Sequence, residues 1–171
     1  GKNVEIPLLE LSDERYLDVQ GNLSLLNWDA KHEMFIQAEL KNLSVTQPGI
    51  RYFMDNLTGS VPSILDRMEF VRFKGSAGGY FHDLQVGGLL QTAAGVVDAN
   101  LLINSDSDFK RTYSGGVKSK NLNLGKLLGD SKFGHTQFNV DLKGFNYNDK
   151  YPESYIKGIV SSFDYSGYCY E

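Results

Sequence analysis

The residues best suited to chemistry in this chain are three histidines, one cysteine and a short acidic run, and their spacing forms no catalytic centre. His32, His82 and His135 lie far apart, each at a turn or on the polar side of a strand-like segment. A zinc site needs two or three ligands to converge, and nothing pairs with His82–Asp83 to supply them. The run "NSDSD" at 104–108 has calcium-loop character, but the glycine and glutamate an EF-hand requires at its sixth and twelfth positions are missing. It reads as a hairpin turn. Cys169 is the single cysteine, has no assigned base and excludes an internal disulfide. No G-x-S-x-G, H-E-x-x-H or phosphate-loop pattern occurs. An enzyme is not expected, nor is a cofactor or metal.

Charge excludes a further class. The 171 residues carry 17 Lys and Arg against 21 Asp and Glu, a net charge of −4 without any block of like charge. A nucleic-acid binder would want a basic stripe, so no nucleic acid is expected as partner. Apolar runs are short against the roughly 20 residues that a spanning helix needs. The opening lacks an initiator Met and the final residues read as a strand. We therefore expect one β-rich segment over 1–171, excised from a much longer repetitive β protein.

The elements that would position any site are strands. Apolar and polar residues alternate with period two in "YLDVQGNLSLL" (16–26), "EFVRFKG" (69–75), "VVDANLLI" (96–103) and "QFNVDLKG" (137–144). That is the pattern of half-buried antiparallel strands. Turn signals separate about eight such segments: 27–32, "AGG" at 77–79, "TAAG" at 92–95, 104–108 and 146–152. Between Pro48 and Pro62, Ile50, Phe53, Met54 and Leu57 recur at helical spacing, which predicts one short helix near 48–57 followed by a loop. "LNLGKLLGD" (122–130) allows one more helical turn. Glycine recurs inside strand-like segments at a cost of roughly 1 kcal/mol each, so curvature is expected in return. The expected fold is all-β: an elongated, strongly coiled antiparallel sheet, as an open trough or sandwich-like.

Aromatic residues are abundant, with 10 Tyr and 10 Phe. Simple alternation through "SSFDYSGYCY" puts Phe163 and Tyr165 on one face and Tyr168 and Tyr170 on the other. Such tyrosines fit cross-strand packing, or a surface for glycan or protein in an extracytoplasmic binding module.

Three sets of residues together resemble the TamB/AsmA-like family, especially its long Bacteroidota members. They are Phe73, Gly75, Asp83, Gly88, Thr92 and Gly95; then Leu124, Gly125, Leu127 and Leu128; then Tyr165, Gly167, Tyr168 and Tyr170. The resemblance covers residues 66–171 well and 16–65 loosely. It implies a periplasmic piece of a bacterial envelope protein, anchored in the inner membrane by an N-terminal helix outside this chain. It further implies a β-trough with an apolar inner face, phospholipid as the cargo, a role in outer-membrane protein biogenesis with an assembly barrel as partner, and no cofactor. Alternation supplies the candidate lipid-facing residues: Val71, Phe73, Val97, Leu101, Ile103, Phe138, Val140 and Leu142. In a closed sandwich the same side chains would be core.

Overall fold

The computed structural model describes residues 1–30, 32–107, 110–147 and 151–171. Ten strands form a single antiparallel sheet in strict sequence order: β1 (Val4–Asp13), β2 (Leu17–Leu26), β3 (Phe35–Thr46), β4 (Phe70–Tyr80), β5 (Asp83–Thr92), β6 (Gly95–Ser107), β7 (Lys110–Asn123), β8 (Phe133–Tyr147), β9 (Tyr151–Tyr165) and β10 (Tyr168–Tyr170). Each strand is hydrogen-bonded only to its neighbours in the chain, and β1 and β10 do not join, so the sheet is open. The all-β antiparallel expectation holds, with ten strands in place of about eight.

Three short helices replace the one expected: α1 (Gln47–Thr58), α2 (Ser63–Arg67) and α3 (Leu124–Leu128). α1 begins because the Thr46 side chain accepts from Gly49 N at 3.2 Å, with Pro48 in the first turn where no donor is missed. It ends at Gly59, whose left-handed backbone lets its N–H bond Asp55 O at 2.9 Å. α3 is capped the same way, by Asn123 accepting from Lys126 N at 2.8 Å and by Gly129 beyond its last turn. α2 occupies what reads as a loop in sequence: Leu65 N and Asp66 N both turn back to Pro62 O and close a single turn.

The turn expected at 77–79 is also displaced. Ala77, Gly78 and Gly79 lie inside β4, paired with Val86, Gln85 and Leu84, and the chain reverses at Phe81–His82. The turns read at 104–108 and 146–152 fall partly on residues 108 and 148–150, outside the described residues.

All three helices sit at one end of the sheet, where β3 leads to β4 and β7 to β8. Arg67 Nε donates to Leu127 O at 2.7 Å, Gln47 Nε2 to Asp66 O at 3.2 Å, and Arg51 pairs with Asp66 at 2.6 Å. Here lies almost all of the described core. Ile50, Ala94 and Leu122 are buried with Thr92, Ser119 and Thr136, and elsewhere the buried residues are Val140 and the glycines Gly21 and Gly144. The buried hydroxyls are satisfied: Ser119 Oγ donates to Val96 O at 2.6 Å and Thr136 Oγ1 to Ser162 O at 3.0 Å.

Candidate functional site

The registers bring the eight candidate residues onto one face. Phe73, Leu90 and Val97 stand opposite one another on β4, β5 and β6. In the next rows Ala99, Val117 and Val140 align, then Leu101, Gly115 and Leu142, then Ile103, Tyr113 and Gly144. Val71 precedes Phe73 by two on β4, and Phe138 stands opposite Ser119 beside Val97. Directly opposed residues project to the same side of a sheet, so Val71, Phe73, Val97, Leu101, Ile103, Phe138, Val140 and Leu142 share a surface. The candidate set did not include Leu23, which alternation puts on the apolar side of its own strand, nor Ile36, Leu84, Val86 or Val117; the ladders add all five to this surface. Nor did it include Ile156 and Val160, which β9 adds opposite Leu142 and Phe138. Among the described side chains of β2 to β9, no charged residue alternates onto this face.

No second layer lies on it. The described chain forms one sheet, and no side chain in it is completely buried. The accessible surface is 11532 Å², against about 8,400 Å² for a compact monomer of this mass. The two faces nonetheless differ. Along β4, Val71, Phe73, Gly75 and Ala77 are half-buried while Arg72, Lys74 and Ser76 are exposed. With no covering layer, that asymmetry means the apolar side chains shelter one another, as on the inside of a curve. Six of the nine ladders carry a register shift that bends the sheet.

Glycine helps build this surface. Gly75 and Gly88 face each other across β4 and β5, and a Cβ on either would run into the backbone of the opposite strand. The space they leave holds the Phe73 ring, whose Cζ lies 2.7 Å from where a Gly75 Cβ would be. The Tyr113 ring covers Gly144 in the same manner, with its hydroxyl hydrogen-bonded to Ser154. The motif residues thus hold structural positions. Thr92 Oγ1 accepts from Ala94 N at 3.1 Å and fixes the β5–β6 turn, and Leu124 to Leu128 form α3.

The tyrosine assignment needs correction. Ser166 and Gly167 both have positive φ, 50° and 83°, and form a two-residue hairpin turn. β10 therefore folds back on β9, so Tyr168 stands opposite Tyr165 and Tyr170 opposite Phe163. All four share one face, not two. Phe133 joins them, with ring centres 5.3 Å from Tyr165 and 6.0 Å from Phe163. Tyr168 and Tyr170 stay exposed at the edge of this cluster.

The histidines remain apart and exposed, and among the described residues no group of His, Cys, Asp or Glu is placed to hold a metal ion. Cys169 is exposed opposite Asp164, whose hydrogen bond and negative charge push the thiol pKa up and make the reactive thiolate scarcer. Among the described residues no helix is long and apolar enough to cross a membrane. The chain matches no family model, no curated protein and no solved structure.

Proposed function

We propose that this chain is a non-enzymatic segment of a lipid conduit, sheltering phospholipid acyl chains along the apolar face of its open sheet. One observation carries the reading: a continuous apolar face across eight strands, uncharged among the described side chains, that no second layer covers. Soluble monomers rarely leave such a surface open, because large exposed apolar patches are sites of association. An acyl chain suits it well. Each CH₂ transferred from water contributes about 0.8 kcal/mol, and a run of side chains without hydrogen-bonding groups binds without choosing one position, as a sliding cargo requires.

The resemblance to TamB/AsmA-like proteins supports the same reading and adds its setting: the periplasm, an inner-membrane anchor elsewhere in the parent protein, and an outer-membrane assembly barrel as a partner. Leu101 and Leu102 provide the test, being identical residues on opposite faces. A photo-crosslinking residue is placed at each in turn in the parent protein in cells, and attached phospholipid is read by mass spectrometry. Lipid at 101 and not at 102 is the expected result. Equal labelling, or none at 101 in folded protein, overturns the proposal.

A further inference from the structure

We infer that the opposite, polar face of the sheet carries a binding groove for a short oligosaccharide. A twisted sheet is saddle-shaped, so each face is concave along one diagonal. On the polar side this produces a groove of about 940 Å³ across β3 to β6, at the upper end of the roughly 300–1,000 Å³ typical of small-ligand sites.

Its side chains are those a sugar needs. A hydroxyl both donates and accepts, and Gln37, Glu39, Gln85, Asp98 and Asn100 line the groove with amides and carboxylates. Gln85 Nε2 donates to Asn100 Oδ1 at 3.1 Å. That bond fixes both amides and leaves a donor on Asn100 and an acceptor on Gln85, a pair matched to neighbouring hydroxyls. Lys41 and Lys74 balance Glu39 and Asp98, and Asp98 is further paired with Lys118 at 3.1 Å. The balance favours a neutral ligand. Phe35 lines one end, edge-on to the half-exposed Tyr80 at 5.3 Å, which itself stacks on His82 at 5.7 Å. This places an aromatic surface where the C–H face of a pyranose would rest.

The floor points to a ligand independently. Gly78 and Gly87 both line the groove, and neither has a positive φ. A Cβ at Gly78 would meet nothing within 4 Å, and at Gly87 its nearest neighbour would be Asn100 Oδ1 at 3.5 Å, an ordinary contact. Backbone geometry and packing therefore require glycine at neither position, although each weakens its strand. Gly75 and Gly88 differ in that a side chain there would collide with backbone. What the bare floor does accomplish is to leave room above the sheet and open its peptide groups to whatever lies in the groove.

The test is NMR titration of the ¹⁵N-labelled 171-residue chain with maltohexaose, cellohexaose, xylohexaose, mannohexaose and laminarihexaose, each alone. At least one should give saturable shifts confined to Gly78, Gly87 and the side-chain amides of Gln85 and Asn100. Gly78→Val should then weaken binding roughly tenfold or more while leaving the remaining spectrum in place. Asn100→Ala, at an exposed side chain, should do the same and guards against a folding defect in the first variant. Three outcomes overturn the inference: no saturable shift from any of the five at millimolar concentration, the parent's affinity retained in both variants, or a Gly-Ser decapeptide filling the groove when no glycan does. None of them bears on the apolar face, so the lipid proposal stands or falls separately.

Discussion

At the end where α1, α2 and α3 gather, Ile50, Ala94 and Leu122 are buried together with Thr92, Ser119 and Thr136, whereas along β9 every residue from Glu153 to Ser161 is exposed. Both regions belong to the same sheet and both contain large apolar residues. The difference is in what accompanies them. The helical end has capped turns, satisfied hydroxyls and an Arg67 bridge from α2 to α3. β9 has Ile156 at 67% and Val160 at 57% exposure on the apolar face, with nothing laid over them. One end is made to hold a shape by itself, and the other offers surface to something else.

Substitutions test that contrast most directly. Leu122→Ala should lower unfolding free energy by about 2–5 kcal/mol, the range for a buried leucine. Ile156→Ala should change it by less than about 1 kcal/mol. Urea melts of the two variants decide it, and equal losses would mean that β9 is covered in solution and that the contrast is wrong. The glycines sharpen it next. Gly75→Val should cost about 1–3 kcal/mol by overpacking, while Gly78→Val, with open space above it, should fall within roughly 0.5 kcal/mol of the parent. Asn123→Ala removes the cap of α3 and should cost about 1 kcal/mol, read as a lower thermal midpoint and faster hydrogen exchange in residues 124–128.

The smallest effect is electrostatic. The hydrogen bond from Arg51 holds the Asp66 carboxyl below its ordinary value, and the same pairing raises the Arg51 pKa. A depressed folded pKa stabilises the fold at neutral pH. The contribution is lost as pH falls below about 4 and through the lower folded value. Both side chains are solvent-exposed, so Asp66→Asn should shift the melting temperature only slightly near neutrality. The gap from the parent should close in acid; a gap that persists there would assign Asp66 a role other than this ion pair.

Much of the architecture was legible because a strand has a side-chain period of two. Once alternation is read, a correct register needs only to align it, and Val71, Phe73, Val97, Leu101, Ile103, Phe138, Val140 and Leu142 fall together. What escaped was whatever departs from a local rule. "AGG" signals a turn because glycine usually marks one, yet Gly78 and Gly79 are strand residues, and Gly78 lines the polar groove. Ser166 offers no signal of its positive φ, and alternation continued through it sends Tyr168 and Tyr170 to the wrong face. α2 is one turn long, too short for periodicity to reveal. The groove itself was invisible, since Gln37, Gln85 and Asn100 come from three strands and read singly as an ordinary wet face.

The order β1 to β10 has one more implication, for growth. Every ladder joins strands adjacent in the chain, so no pairing depends on a distant segment arriving first. Such local closure favours rapid, stepwise folding. It also means that a hairpin can be inserted or deleted while the remaining ladders keep their registers. In this architecture length is the property that evolution can alter at least risk, two strands at a time, with each addition widening both surfaces at once.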